Sequence, residues 1–146
     1  MKKYLLLMIT IAIIFATAFA VIGCSSKTRA TVEVSSSEFA QTPDIERTIE
    51  LTQGSVLTVK LASNQTTGFQ WTEQAQISNV TILEQKSHRY IKPTTNLAGA
   101  GGQEEWTFRV LKPGQTTVSM GYSRPWTGGE QNVNTFQLTV IVVTVP

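Results

Sequence analysis

The sequence predicts an all-β domain, two antiparallel sheets packed face to face. Three observations carry this. β-branched residues abound, apolar residues alternate with polar ones along most of the chain, and glycine- or proline-bearing turns interrupt the alternation at short intervals. After residue 30 there is almost no helix-period pattern.

The expected strands follow in order. Thr31–Val34 is a short one. Ser35-Ser36-Ser37 reads as a loop. Arg47–Leu51 alternates and ends at a Gln53-Gly54 turn. Ser55–Ala62 alternates with Val59 and Leu61 on one face, and Phe69–Thr72 follows a further turn. Val80–Tyr90 is longer, with Val80, Ile82 and Tyr90 expected to point inward. Gln103–Leu111 alternates through Trp106, Phe108 and Val110. Lys112-Pro113-Gly114-Gln115 is a turn, because proline presets φ and glycine supplies positive φ. Thr116–Tyr122 and Val133–Val145 complete about seven or eight strands. Trp71 and Trp106 sit in strand patterns and are expected in the core. This spacing fits an immunoglobulin-like sandwich, with a closed barrel as the alternative architecture.

Residues 1–23 do not belong to that fold. Lys2 and Lys3 precede an apolar run from Leu5 to Ile22, the pattern of an export signal. The run is just long enough to span a bilayer, so an uncleaved anchor is one alternative and a plain signal peptide another. Val21-Ile22-Gly23-Cys24 resembles the lipobox of bacterial and some archaeal lipoproteins. There a peptidase cuts before the cysteine, whose thiol carries a diacylglycerol. On that reading Cys24 is acylated, residues 24–30 form a tether, and residues 31–146 are the β domain. The protein is then exported and held on a membrane surface of the cell envelope.

The composition excludes much chemistry. The 146 residues carry 12 Lys and Arg against 10 Asp and Glu, a formal charge of +2. Lys2 and Lys3 leave with the signal, so the mature chain of about 123 residues is near neutral and has no basic surface for nucleic acid. His88, Asp44 and Cys24 are single examples of their types. Most triads, dyads and metal clusters are therefore ruled out, and neither metal nor cofactor is expected. Glu104 and Glu105 are adjacent, so in a strand they face opposite ways and form no catalytic carboxylate pair. An acylated Cys24 leaves no disulfide, and core packing must stabilise the fold alone. The sequons at Asn64 and Asn79 are read as chance.

Three loops have unusual compositions. Asn64-Gln65-Thr66-Thr67-Gly68-Phe69 combines residues that tolerate left-handed backbone with two small threonines. Gly99-Ala100-Gly101-Gly102 leaves backbone uncovered, but it lacks the helix and the Lys-Ser/Thr of a phosphate loop. Arg124-Pro125-Trp126 puts two residue types enriched at binding hot spots on a loop tip.

In this order and at these separations, the three motifs resemble the signature loops of the chagasin family of cysteine-peptidase inhibitors. The resemblance covers about residues 45–145. It implies an immunoglobulin-like sandwich whose three loops form a wedge for the cleft of a papain-like cysteine peptidase. Thr66, Thr67, Gly68 and Phe69 would then enter beside the catalytic cysteine, with Gly101 and Gly102 on one flank and Arg124, Pro125 and Trp126 on the other. It implies reversible, non-covalent inhibition by a monomer with no enzymatic activity of its own. The chain departs from the family at Gln65, where the pattern has proline, and the loss of that φ restraint predicts a less preorganised loop. The competing reading from another class is an envelope adhesion or structural module on the same fold.

Overall fold

The computed structural model describes residues 28–95 and 97–144. The expected export signal, Cys24 and the expected tether as far as Lys27 lie outside the described residues.

Among the described residues the chain forms nine strands in two sheets. They are β1 (Arg29–Val34), β2 (Asp44–Thr52), β3 (Val56–Ser63), β4 (Gln70–Trp71), β5 (Gln76–Ile77), β6 (Leu83–Ile91), β7 (Gly102–Val110), β8 (Gly114–Ser123) and β9 (Asn134–Val143). One sheet runs β1-β3-β7-β6; the other runs β2-β9-β8-β4, with β5 also paired to β8. β1 begins at Arg29, so the last two residues of the expected tether are already strand.

Strand alternation builds the core directly. β3 turns Leu57, Val59, Leu61 and Ser63 inward, and β9 turns Phe136, Leu138, Val140 and Val142 to meet them. Trp71, Trp106 and Phe108 fill the space between, all fully buried. Among the described residues the buried apolar cluster runs from Val34 to Val142, so the domain packs within itself.

The sheets are mixed, where the sequence suggested antiparallel ones. β3-β7-β6 and β9-β8-β4 are antiparallel as expected. β1, however, lies parallel to β3, and β2 parallel to β9. The chain rises along β1 on one sheet, crosses at the top, descends along β2 on the other, and turns at Gln53–Ser55 to rise again as β3. Each N-terminal strand thus becomes a parallel edge.

That crossing is a helix, α1 (Ser36–Gln41), where the sequence predicts a loop at Ser35-Ser36-Ser37. A capping box starts it. The Glu38 N–H donates to Ser35 Oγ, and the Ser35 N–H donates to Glu38 Oε2 at 2.9 Å. Phe39 then buries against Trp71, ring centroids 5.2 Å apart.

Val80 also departs from expectation, being 66% exposed. Asn79 Oδ1 accepts from both the N–H and the hydroxyl of Thr81, and this turn delays β6 to Leu83. Glu104 and Glu105 do face opposite ways. Glu104 is buried between the sheets, whereas Glu105 lies in an outer row with Lys60 and Arg89, bonded to both.

The capping box gives a test. Ser35→Ala is expected to cost about 1 kcal/mol, read as a lower Tm. The Ser35 backbone N–H and hydroxyl, with the Arg47 guanidinium, hold the Glu38 carboxyl below its ordinary range. The associated stability is present above the ordinary carboxylate pKa and is lost as pH falls through the lowered one. The Tm difference between parent and Ser35→Ala should therefore shrink in acid.

Candidate functional site

Strand direction alone gathers the three loops. Ser63 ends β3 opposite Gly102, Ile91 ends β6 opposite Gln103, and Tyr122 near the end of β8 faces Asn134. The loops after β3, before β7 and after β8 therefore leave from one pole, which α1 shares. Thr28, the Gln53–Ser55 turn, the β7–β8 turn and the end of β9 occupy the opposite pole.

The first loop folds as a single 3-10 turn, Gln65–Thr67. Asn64 holds it from below. Its Oδ1 accepts from the Thr66 N–H at 3.2 Å and the Thr66 hydroxyl at 2.7 Å, while its carbonyl accepts from the Thr67 hydroxyl at 2.6 Å. Both threonine side chains are thus turned back into the loop. Gly68 closes it in the left-handed region at φ 79°, donating to the Gln65 carbonyl. The Asn64 N–H donates to the Tyr122 hydroxyl at 2.9 Å, which fixes the loop's root to β8.

The loops also hold one another. Asn64 Nδ2 donates to the Gly99 carbonyl at 3.0 Å, joining the first loop to the second. The Trp126 indole lies on Gly68, so closely that a Cβ there would stand 2.6 Å from the ring. Arg124 stacks its guanidinium on Phe69, 4.4 Å from the ring centroid, and lies 5.7 Å from that of Trp126. Glu130 pairs with Arg124 at 2.9 Å, and the Arg124 N–H donates to the Glu130 carbonyl. Trp126 is still 52% exposed and Leu97, on the second loop, 75%. The pole therefore presents apolar surface from a braced frame.

Most of the residues singled out in the sequence meet here: Asn64, Gln65, Thr66, Thr67, Gly68 and Phe69 with Gly99, Arg124 and Trp126. Pro125 lies exposed between the last two. Gly101 sits at the root of the second loop beside Ser63. Gly102 is already in β7, and a Cβ there would collide with the Ile91 carbonyl and the Tyr90 ring, so it serves close packing of β6 and β7. Sequence reasoning missed Tyr122, Glu130, Leu97 and Glu104. No local signal marks the first three, because their roles depend on which strands become neighbours.

Glu104 is 1% exposed. Its Oε1 accepts from Ser63 Oγ at 2.7 Å and the Trp71 N–H at 3.0 Å, and its Oε2 lies 2.8 Å from His88 Nε2. Asp44 is the only aspartate that could have partnered His88; the fold supplies Glu104 instead. This is not a hydrolytic triad. The carboxylate stands between serine and histidine, so the imidazole that a triad places against the hydroxyl does not reach it. Among the described residues no cluster of His, Cys, Asp and Glu can hold a metal ion.

A sandwich that sends three interlocked loops from one pole is a binding protein with a preformed edge. The chain belongs to the chagasin family of peptidase inhibitors: the family model "Chagasin family peptidase inhibitor I42" matches residues 50–140. It is 33% identical to chagasin of Trypanosoma cruzi over 94 residues, covering 61% of this chain and 83% of that protein. It is 24% identical to amoebiasin-2 of Entamoeba histolytica over 95 residues, 65% of this chain and 76% of that one. The fold is similar to the crystal structure of the cysteine protease inhibitor EhICP2 from Entamoeba histolytica, with TM-score 0.59, 19% identity and coverage of 81% and 100% of the two chains. It is also similar to PbICP-C in its complex with falcipain-2, with TM-score 0.56, 16% identity and coverage of 80% and 99%. The matched family segment begins inside β2, so β1 and α1 precede it.

Gln65 opens the 3-10 turn, and its N–H makes no hydrogen bond among the described residues. Asn64 before it is extended, at φ −129° and ψ 90°. Both conditions suit proline at 65. Gln65→Pro is expected to raise stability by about 0.4–1 kcal/mol through the unfolded chain. Thermal unfolding checks this; a fall in Tm would show that the turn departs from proline geometry.

Proposed function

We propose that the chain inhibits papain-like cysteine peptidases reversibly, by filling the active-site cleft with its three loops and without covalent chemistry. Thr66, Thr67, Gly68 and Phe69 form the central wedge. Gly99 and Gly101 flank one side and Arg124, Pro125 and Trp126 the other, with Gly102 fixing the root. One observation carries the reading: the wedge is braced before any partner arrives, by Trp126 on Gly68, Arg124 on Phe69 and Asn64 on Gly99.

The physics supports the role. A braced edge has already met the ordering cost that a free loop incurs on binding. Thr-Thr-Gly is narrow, and its hydroxyls are satisfied within the loop, so insertion strands neither hydroxyl. Trp126 offers a rigid apolar plate with few torsions to freeze. A near-neutral chain has little long-range steering, so affinity resides in slow dissociation. A single copy suffices for this geometry, and the active form is a monomer.

Export and acylation at Cys24 complete the proposal, placing the inhibitor on a membrane surface of the cell envelope. Two or three acyl chains, at about 0.8 kcal/mol per buried CH₂, make a stable anchor.

Titration of the chain from Cys24 onward against papain tests the inhibitor reading. The expected result is stoichiometric, reversible loss of activity; no inhibition at micromolar concentration overturns it. Trp126→Ala should weaken inhibition by about 2–4 kcal/mol, roughly thirtyfold to several hundredfold, with little change in Tm. In cells fed labelled palmitate, label should enter the parent chain and be lost in Cys24→Ser. Equal labelling of both would sink the anchor.

A further inference from the structure

We infer that the anchored chain stands with its three loops directed away from the lipid, so that it meets peptidases arriving from the aqueous side. The inference rests on the proposed acylation of Cys24, and its geometry comes from the described residues.

The chain enters the fold at the base. Arg29 pairs with Val56, and the Val56 N–H donates to the Thr28 carbonyl at 2.9 Å. The first loop leaves the other end of the same strand, after Ser63. The eight residues of β3, at about 3.3 Å each, set the two poles roughly 25 Å apart. β1 is held along its length in parallel register with β3, so the tether begins at the base and not midway up.

Chain reach then limits the poses. From Cys24 to Thr28 a fully extended chain spans only about 14 Å. Pressing the loops end-on into lipid requires the base to stand a full sandwich length above the surface. That exceeds the tether, so inversion is out of reach. Charge favours the upright pose. Arg29 and Arg109 flank Val56 on the outer face at the base, and Lys112 lies in the β7–β8 turn at the same end. Of the carboxylates toward that end, Glu84 is already bonded to Lys86, and the exposed Glu50 on β2 of the other sheet offsets only one of the three cations. These cations face an anionic lipid surface, whereas Trp126 lies at the far pole.

Cys24 is the chain's single cysteine, so the anchor can be supplied chemically. The chain from Cys24 onward, whose described domain packs within itself, is coupled through that thiol to maleimide lipid in phosphatidylcholine–phosphatidylglycerol vesicles. This keeps the test independent of whether cells acylate Cys24. Two readouts follow. With brominated lipids in the vesicles, the emission of Trp126, taken as the difference between parent and Trp126→Phe, should be unquenched. Inhibition of papain in the surrounding solution should stay within about threefold of that by uncoupled Cys24→Ser. Quenching of the Trp126 signal, or a loss of inhibition beyond about tenfold on coupling, overturns the orientation. Failure of uncoupled Cys24→Ser to inhibit papain counts against the inhibitor reading instead, and the quenching readout still decides the orientation.

Discussion

The structure depends on one buried carboxylate. Glu104 sits between the sheets where an apolar residue would normally pack, and it gathers three partners there: the Ser63 hydroxyl, the Trp71 N–H and the His88 ring. Each belongs to a different strand. Ser63 ends β3, Trp71 closes the two-residue β4, and His88 lies on β6. Desolvating a carboxylate costs several kcal/mol and is offset only when its oxygens are fully bonded. The bonds therefore fix where those strands end relative to one another, which a smooth apolar core does less strictly. The loop between Ser63 and Trp71 is held at both roots by the same side chain.

Around that point the indoles and Tyr122 continue the bracing. Trp71 Nε1 donates to the Ala62 carbonyl at 3.0 Å, one residue before Ser63. Tyr122 packs its ring against both Trp71 and Phe69, while its hydroxyl accepts from the Asn64 N–H. Polar bonds set position and aromatic faces supply the buried area. The loop lacks the proline of the family pattern, yet it is ordered by the Asn64 bonds to Thr66 and Thr67. These bonds restrain the folded loop, whereas proline would restrain the unfolded chain. The two devices act on different states, so the first does not make the second redundant.

Much of this is legible in the sequence because alternation in a strand is a direct record of burial. β3, β7, β8 and β9 are readable from their apolar faces, and the loop motifs from their odd compositions. What escapes has physical reasons. The helix α1 is only six residues long, too short for a periodic stripe, although Ser35 and Glu38 do stand at capping-box spacing. β5 has two residues and pairs only because β8 lies beside it. The parallel edges are hidden because direction is a property of the path between strands, which composition does not record. Val80 misleads because its side chain suits a strand, while Asn79 just before it makes a turn. Glu104 resembles a surface residue, and its partners lie 16 to 41 positions away in sequence.

The parallel seam between β1 and β3 has a mechanical meaning. The chain's N-terminal end leaves β1 at the base, and the first loop leaves β3 at the top. A pull between those two points runs along both strands. It loads the six register pairs from Arg29 to Val34 together, in shear. An antiparallel hairpin pulled at its open end would instead unzip pair by pair. A grip on the loop pole is therefore resisted by the whole seam.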